Sequence, residues 1–442
     1  MIQICAVNGY NEVGRNCTAV NVDGEVVIID MGLHLENYIK YTEDDDFVSV
    51  SEKELVKVGA VPDISSIKDW KNDVKAIVIG HGHLDHVGAV PYVAHNFNAP
   101  IICTPYTGAI IDITLKEDRI KLSNKIISLS SNSSYQITDK IKVEFIHVTH
   151  SIPQTVIVAL HTKYGVIMYA NDFKFDLAPI LGKRPNFKRL QSIAGENVLA
   201  LIVESTYADT YGKMPSENVA KEMLKDVMLG VDSRDGAMIV TTFSSHMARL
   251  TSILEFGKKL NRKIVFMGRS LAKYVHAAES IGLVNFSKQA EILKYSKQVK
   301  RKLKKIAHEK DKYLLVVTGH QAEPHSVLSK IASKEHEFKL ESNDIVIFSC
   351  RTIPTPTNIA NREKLERTLK AYNVRIFKDI HQSGHAARED LRDLITMLKP
   401  KKIIPSHGNP LHKEALAELA EGIGYKKGET VLLVRDGQRV II

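Results

Sequence analysis

Cysteine is scarce in this sequence, and the few cysteines present are scattered. Four occur among 442 residues, and no two of them form a Cys-x-x-Cys pair. A disulfide framework or a thiolate zinc ribbon needs closely spaced cysteines, so both are excluded, and a reducing cytoplasm fits this usage. Cys103 and Cys350 lie beside strand-like apolar runs, and we expect both to be buried core residues.

Long apolar runs are also missing. No stretch is long enough to span a bilayer, and the strand-like residues 1–7 lack the charged-then-apolar layout of a signal peptide. We therefore expect a soluble, cytoplasmic protein that does not associate with membranes. With 44% hydrophobic and 25% charged residues, the composition is that of an ordinary globular protein. The length exceeds what one hydrophobic core usually serves, which favours two domains.

The charge excess is modest, at +9 with a pI near 9.1. It suits a polyanionic partner such as nucleic acid, but solvated surfaces also carry such an excess. The densest basic run, residues 288–312, has apolar residues that predict a helix with one packed face and one basic face. We interpret the basic face first as a solvated surface and second as a track for nucleic acid. The acidic residues 43–46 are interpreted as a solvated connection.

A histidine-rich segment follows the run Val74–Ile79, which is apolar except for Lys75 and predicts a buried strand. The segment contributes His81, His83, Asp85 and His86. Imidazoles two residues apart on extended backbone point the same way, so His81 and His83 can bind one metal ion. Asp85 and His86 follow the bend and can reach a second ion. A chance run of polar residues would explain one histidine better than three, so the segment predicts a metal site.

Other strand-like runs also end in polar side chains. These are Asp30 after 26–29, His150 after 142–148, Asp172 after 166–170, Glu204 after 198–203 and His407 after 402–405. In layered α/β proteins, sites form outside the strand ends, where loops bring distant residues together. The chain is therefore expected to assemble one site from its two ends. A helix is expected over 87–96, with Pro91 in its first turn.

Residues 208–372 alternate between strand-like and helix-like segments. The predicted strands are Ala237–Thr241, Lys263–Met267, Tyr313–Val317 and Ile345–Phe348. This alternation predicts a second, largely parallel sheet. Each strand is followed by small hydroxylated residues, glycine or arginine, which suit phosphate oxygens. One such turn would be unremarkable, but four together favour phosphate binding over ordinary turn chemistry.

Taken together, these segments resemble the metallo-β-lactamase fold nucleases of the β-CASP group, and most closely the archaeal form of ribonuclease J. The segment 81–86 matches the central motif, while Asp30, His150 and Asp172 stand where the first, third and fourth motifs belong. Glu204, His385 and His407 match the three β-CASP motifs, and 318–324 and 349–354 look specifically like ribonuclease J. The resemblance implies an αββα sandwich, residues 1–207 and 373–442, with an inserted, mostly parallel α/β domain at 208–372.

The resemblance also implies two zinc ions, with manganese as the alternative. The first would take His81, His83 and His150, the second would take Asp85, His86 and His407, and Asp172 would bridge them. Nitrogen and carboxylate donors without thiolates suit zinc. Asp30 is expected to orient a ligand histidine rather than bind metal, or else to be a strand-end carboxylate of local structural use.

The chemistry implied is hydrolysis of single-stranded RNA, with a metal-held hydroxide attacking phosphorus at the centre that includes Asp85. His385 would protonate the departing sugar oxygen, and Glu204 would orient His385 and raise its pKa; a buried structural Glu–His pair is the alternative. The residues expected to cradle the RNA backbone are Ser383, Gly384, Ser349, Arg351, Thr318, Gly319, Ser244 and Arg269.

In this family, a 5′-monophosphate pocket implies 5′→3′ degradation with release of 5′-mononucleotides. Three departures bear on that reading. Leu84 replaces a usual glutamate without expected harm, whereas Ala322 in place of a glycine and residues 355–357 in place of Gly-Asn-Glu can alter the pocket. The sequence ends soon after Gly408, so no extra carboxyl-terminal domain is expected. A homodimer and RNA-decay partners stay open.

Three other functions would use parts of the same pattern. An endoribonuclease would use the same metals and cut internally. A hydrolase of thioesters or lactones would not need the long insertion with its phosphate-type turns. A catalytically dead RNA-binding protein should have lost metal ligands, and here the whole predicted set is present.

Overall fold

The computed structural model describes residues 1–42, 51–233 and 235–442, so the acidic residues 43–46 lie outside the described part. The chain forms two compact units. The first comprises Met1–Leu177, Lys183–Met214 and Gly384–Ile442, and the second comprises Ala178–Gly182 and Pro215–Ser383. The domain bounds 1–207, 208–372 and 373–442 stay a prediction.

The described residues form nineteen strands. They are β1 Ile2–Asn8, β2 Cys17–Val22, β3 Glu25–Ile29, β4 Val74–Ile79, β5 Ile101–Cys103, β6 Ile126–Ser128, β7 Ser134–Gln136, β8 Lys142–His147, β9 Val156–Thr162, β10 Gly165–Ala170, β11 Val198–Glu204, β12 Met238–Thr241, β13 Lys263–Met267, β14 Glu291–Leu293, β15 Tyr313–Val317, β16 Ile345–Phe348, β17 Arg375–Phe377, β18 Lys402–Ser406 and β19 Gln438–Ile441.

Fourteen α-helices lie within the same described residues. They are α1 Leu35–Thr42, α2 Glu52–Lys57, α3 Leu84–Val87, α4 Val90–Val93, α5 Pro105–Asp118, α6 Phe187–Ile193, α7 Glu217–Gly230, α8 Met247–Lys259, α9 Arg269–Ser280, α10 Ser296–Ile306, α11 Val327–Ala332, α12 Pro356–Ala371, α13 Arg388–Leu398 and α14 Pro410–Glu421. Short 3-10 helices occupy Ile64–Asp73, Ala94–Asn96, Ala194–Glu196 and Lys310–Lys312.

The first unit is a four-layered sandwich built on two sheets. Their strand orders are β19-β1-β2-β3-β4-β5-β6 and β18-β11-β10-β9-β8-β7. A buried apolar cluster with residues from both sheets fills the space between them. A second cluster joins the outer face of the first sheet to α4 and α5, and a third joins the other sheet to α6, α13 and α14. These layers are the predicted αββα arrangement.

Strand β4 of the first sheet is apolar at every position but Lys75 because both faces of the sheet are covered. In β4, Ile77 and Ile79 pack beneath the helices, whereas Ala76 and Val78 pack between the sheets. Successive side chains of a strand point to opposite faces, so a strand covered on both sides has a continuous apolar run. That is why β4 could be predicted from its sequence.

The second unit contains one six-stranded sheet in the order β14-β13-β15-β12-β16-β17. Every pairing in it is parallel. Helices α10, α11 and α12 contribute to the apolar cluster on one face. The four strands predicted by alternation are present. The short strands β14 and β17 were missed, because three residues give no usable periodicity.

Two local predictions need correction. The helix expected over 87–96 is broken into α4 and a 3-10 turn, with Pro91 in the first turn of α4. The basic helix expected within 288–312 begins only at Ser296, because Ile292 and Leu293 belong to β14. Cys103 and Cys350 are buried, as predicted. Among the described residues, no helix combines the length and the apolar character that crossing a bilayer would require.

Candidate metal centre

The predicted ligands meet at one edge of the two sheets of the first unit. Strands β3 and β4 run parallel, as do β10, β11 and β18, so the carboxyl ends within each group lie together. Asp30, Asp172 and His407 follow such ends and have φ of 61°, 62° and 47°. Left-handed backbone is uncommon outside glycine and tends to persist at functional sites. Here the left-handed residue follows the end of each strand and turns the chain there.

Four side chains form the first donor group. The Nδ1 atom of His83 lies 3.2 Å from His81 Nε2 and 3.0 Å from His150 Nε2. The Oδ2 atom of Asp172 lies 3.4 Å from His81 Nε2 and 3.5 Å from His150 Nε2. Ligand atoms about 2.0–2.1 Å from a tetrahedral zinc ion stand about 3.3–3.4 Å apart. The spacing of this group therefore suits one such ion.

A second donor group shares Asp172 with the first. His86 Nε2 lies 3.5 Å from Asp85 Oδ2 and 3.3 Å from Asp172 Oδ2. His407 Nε2 lies 3.7 Å from Asp85 Oδ2 and 3.4 Å from Asp172 Oδ1. Neither His407 Nε2 nor Asp172 Oδ1 has a hydrogen-bond partner among the described residues, although both are buried. Such an atom is costly unless something else binds it, and a cation would.

The protonation states of His83, His150 and Asp172 also suit metal binding, whereas burial is outweighed by neighbouring carboxylates that raise the pKa of His86, which must lose its proton to bind a cation. Burial lowers the pKa of His83 to about 3 and that of His150 well below its usual value, so both rings are neutral. Burial raises the pKa of Asp172, but His407, His86 and His385 outweigh it and hold that pKa well below the usual value. Neutral imidazoles and an ionised carboxylate are the forms that bind cations. The residues present therefore fit a pair of divalent ions.

Asp30 lies behind the ligands rather than among them. Its Oδ2 atom accepts a hydrogen bond of 2.6 Å from His86 Nδ1 and one of 2.9 Å from the Tyr169 hydroxyl. Its Oδ1 atom accepts from the Gly80 backbone N–H at 2.8 Å. Such a carboxylate fixes the tautomer of a ligand histidine and directs Nε2 towards the ion.

Two other histidines, His150 and His407, are oriented by residues for which the sequence did not indicate this role. His150 Nδ1 donates to the Gly384 carbonyl oxygen at 2.7 Å, and His407 Nδ1 lies 2.7 Å from Asn16 Nδ2 and 3.0 Å from Asn16 Oδ1. A Cβ at position 384 would lie 2.6 Å from a backbone nitrogen, so only glycine fits there without a shift. Gly384, predicted to contact RNA, thus positions a histidine of the first donor group. Asn16 carries no sequence signal, since one asparagine far from the histidine segment is unremarkable.

His385 and Glu204 form a pair beside the donor groups. The Nδ1 atom of His385 lies 2.7 Å from Glu204 Oε2 and 3.8 Å from Asp172 Oδ1. Glu204 is fully buried, and its Oε1 accepts from the Phe173 N–H at 2.8 Å. Burial lowers the pKa of His385, but Glu204 and Asp172 outweigh it and raise that pKa to about 10. His385 is therefore an imidazolium held in place by a buried carboxylate, with 22% of its side chain exposed.

The remaining residues predicted to bind RNA lie in the second unit and differ in exposure. Arg269 and Arg351 are exposed at the carboxyl ends of parallel strands. The Ser244 hydroxyl lies 2.8 Å from that of Ser270, and Thr318, which precedes Gly319, accepts from a backbone N–H. Gly319 and Ser383 are buried.

Ser349 is held inside a buried network. Its hydroxyl donates to the Ile380 carbonyl oxygen at 2.8 Å and accepts from Arg249 Nη1 at 2.8 Å. The fully buried Arg249 also donates to both carboxylate oxygens of Glu217, at 2.6 and 2.8 Å. The Ser349 hydroxyl is thus occupied within the unit, which is a structural role rather than the predicted phosphate contact.

Three family models match parts of the chain. They are described as "Ribonuclease J, beta-CASP domain" at residues 235–366, "Zn-dependent metallo-hydrolase RNA specificity domain" at 372–432 and "Metallo-beta-lactamase superfamily" at 10–121. These matches confirm the predicted fold class.

Curated proteins are similar over the whole chain. A protein named ribonuclease J from Methanocaldococcus jannaschii is 45% identical, covering 99% of this chain and 98% of that protein. One of the same name from Pyrococcus abyssi is 42% identical, covering 100% and 97%. Ribonuclease J 1 from Streptococcus pyogenes is 30% identical, covering 99% and 73%. A solved structure of a protein of unknown function from Enterococcus faecalis has the same fold, with a TM-score of 0.64, 15% identity and full coverage of both chains.

Proposed function

The chain belongs to the ribonuclease J family of metallo-β-lactamase fold proteins, and from that premise we propose that it degrades single-stranded RNA in the 5′→3′ direction. The substrate is an RNA with a 5′-monophosphate end, and the products are 5′-mononucleotides. The observation that carries this proposal is the pair of donor groups that share Asp172. Two cations held by one carboxylate are suited to a phosphodiester, because its phosphorus must accept a nucleophile while its oxygens gain charge.

The ions in this proposal are two zinc ions, with manganese as the alternative. His81, His83 and His150 would hold one, Asp85, His86 and His407 the other, and Asp172 both. When bound, such ions supply an activated water as the nucleophile and offset negative charge on the phosphoryl oxygens. Asp30, Gly384 and Asn16 act on the protein side, by fixing the orientation of the ligand histidines.

His385 supplies the proton that the departing oxygen needs. Its Nδ1–H is directed at Glu204, and the proposal assigns the proton on Nε2 to the substrate. Release of a 5′-mononucleotide breaks the bond between phosphorus and the 3′-oxygen of that nucleotide. His385 protonates this oxygen, which leaves as a hydroxyl, and the shortened RNA keeps a new 5′-phosphate. The raised pKa keeps His385 protonated at neutral pH.

The second unit binds the RNA backbone in this proposal. The exposed guanidinium groups of Arg269 and Arg351 are suited to bidentate contacts with phosphate. The proposed contacts with the RNA backbone also include Ser244, Ser383 and the segment 318–319. A homodimer and association with RNA-decay proteins remain predictions.

End-labelled RNA tests the proposal. Single-stranded RNA labelled at either end, with a 5′-monophosphate, triphosphate or hydroxyl, is incubated with the protein with and without a chelator. We expect mononucleotides from the 5′ label, a preference for monophosphate and no cleavage with chelator. Discrete internal fragments would support an endonuclease, and chelator-resistant cleavage would contradict the metal requirement. Asp172→Ala is the matched control, since it should bind RNA without cutting it.

A further inference from the structure

One short segment of the second unit carries most of the net charge of the chain. Residues 288–312 include ten lysines and arginines against three acidic residues, a net charge of +7 compared with +9 for all 442 residues. Within the segment, α10 exposes a surface that we call the α10 basic face. It consists of Lys297, Lys300, Arg301, Lys304 and Lys305.

The α10 basic face is a continuous stripe. Its members occur at helical spacing, and the opposite side of the helix buries Val299, Leu303 and Ile306. From residue 297 to residue 305 the stripe is roughly 12 Å long, at 1.5 Å per residue. Of its five cations, only Lys304 forms an ion pair with another described residue, a 2.8 Å contact with the exposed Glu337. The other four charges are available to a polyanion.

This arrangement of charges works against the helix that carries it. Like charges four residues apart on a helix repel, and the stripe contains three such pairs. The first turn contains Lys297 and no acidic residue, although the positive end of the helix dipole favours acidic residues there. Helix α12 of the same unit instead intersperses Glu363 and Glu366 among its exposed cations. A merely solvated surface has no need for the less stable pattern.

Both ends of α10 add features suited to nucleic acid. At its N-cap, the Tyr295 side chain is 57% exposed. Near the other end, the ring of Tyr313 is buried and has Lys302 Nζ 5.0 Å and Lys263 Nζ 5.7 Å from its centroid, so it holds cations in place and does not stack a base. Lys263 also lines a cleft of about 480 Å³ whose other charged lining residues are Arg262, Lys312 and Asp311. An exposed aromatic ring beside cations is typical of sites that stack bases and follow the backbone.

We propose that the α10 basic face, with Tyr295, is an exosite for single-stranded RNA. Phosphates bind along the stripe and one base stacks on Tyr295. The inference rests on the proposed function only in naming RNA as the polyanion, since the second unit includes none of the donor groups of the metal centre. Binding at this face requires no cleavage, so it can be measured separately from activity.

The test compares two charge-matched triple variants. One changes Lys297, Arg301 and Lys305 to Gln on α10, and the other changes the exposed Lys364, Arg367 and Lys370 to Gln on α12. Both remove three charges, two lysines and one arginine, and Gln is a good helix former. Each is made in an Asp172→Ala background, so that RNA is not degraded. Fluorescence anisotropy with labelled oligouridine is measured at several salt concentrations.

The α10 triple should weaken RNA binding about tenfold near 0.1 M salt. It should also make the slope of log K against log salt less negative by about 2, because each of the three lost phosphate contacts contributes roughly 0.7 to that slope. The α12 triple should change neither quantity. Tyr295→Ser should lower affinity severalfold without changing the slope, because stacking releases no counterion. Thermal melting of the α10 triple should be unchanged or raised, since repulsion is relieved.

Equal effects of the two triples would overturn the proposal, because net charge alone would then explain binding. No effect of the α10 triple would also overturn it. So would an α10 triple that loses binding to phosphatidylserine vesicles or to polyglutamate while its RNA binding is intact. A parent protein that does not bind RNA at all would overturn the proposed function as well. If the native chain cleaves RNA normally but the α10 triple binds RNA as well as its parent does, the exosite alone is overturned.

Discussion

Replacing Glu204 by Gln tests the proton-donor role of His385 without touching a metal ligand. The carboxylate lies 2.7 Å from His385 Nδ1 and is fully buried, so its charge acts in a medium of low polarity. Gln keeps the shape and can still accept from the Phe173 N–H, which Glu204 Oε1 now does at 2.8 Å. The variant should therefore fold and bind metal while losing only the charge opposite the imidazole.

The magnitude follows from the protonation of His385. Its pKa is about 10 because Glu204 and Asp172 together outweigh burial. Without Glu204 that pKa should fall to the ordinary value of about 6.5 or below, so that at most about a tenth of the imidazole is protonated at pH 7.5. The loss of orientation adds to this, and general acid catalysis is worth about 10²–10⁴-fold. We expect Glu204→Gln to lower kcat by about 10²–10³-fold.

Two comparisons make the assay decisive. His385→Ala should lower kcat by about 10²–10⁴-fold, and the double variant should be no slower than His385→Ala, because the two residues act as a unit. A substrate with sulfur in place of the departing 3′-oxygen should restore near-native rates to all three variants. A thiol has a pKa near 8.5, so it leaves as a thiolate without needing a proton.

Additive losses in the double variant would show that Glu204 and His385 act independently. Equal losses on the oxygen and sulfur substrates would remove His385 as the proton donor and leave the buried Glu–His pair a structural role. Zinc content, measured on each variant, should equal that of the native chain. A lowered zinc content would mean that the pair supports the metal centre instead.

Three further predictions concern packing and stability. Gly384→Ala places a Cβ 2.6 Å from a backbone nitrogen. It should lower the free energy of unfolding by about 1–3 kcal/mol and activity by at least about tenfold. The control Gly195→Ala, with open space around it, should be neutral in both assays. Glu217→Gln breaks the buried ion pair with Arg249 and should lower the free energy of unfolding in urea by about 3–5 kcal/mol. The exposed Glu222→Gln on the same helix should lower it by under about 0.5 kcal/mol. Equal losses in the two variants would contradict this prediction. Burial, aided by neighbouring cations, lowers the pKa of His381 to about 2. Because the unfolded chain takes up that proton near pH 6.5, the contribution of His381 to the free energy of unfolding is at its full value above pH 6.5 and falls by about 1.4 kcal/mol per pH unit below it. His381→Asn should therefore flatten the measured dependence of unfolding free energy on pH between 6.5 and 5, and an unchanged slope would refute the assignment.

The sequence was sufficient for the residues whose position depends on strand periodicity. Because strands such as β4 are covered on both faces, they appear as apolar runs, and the ligands follow at their ends. The convergence of Asp172 and His407 followed from the expectation that strand ends share an edge. The two-sheet core followed from the family motifs rather than from any local pattern.

What the sequence could not predict depends on contacts between distant residues. Asn16 and Gly384 orient histidines of the two donor groups that are 391 and 234 residues away, and neither residue type marks that role. Ser349 has the small polar character of a phosphate contact, yet its hydroxyl is occupied by Arg249, 100 residues earlier in the chain. A strand-end pattern alone cannot distinguish a ligand cradle from a buried polar network, because both use the same side chains.

The most direct test of the account is the number of metal ions that each chain binds. Inductively coupled plasma mass spectrometry on purified native protein, His81→Ala and His407→Ala would measure zinc and manganese per chain. The account predicts two ions in the native chain and about one in each variant, since each histidine belongs to a different donor group. A native chain that cleaves RNA while holding one ion or none would contradict it.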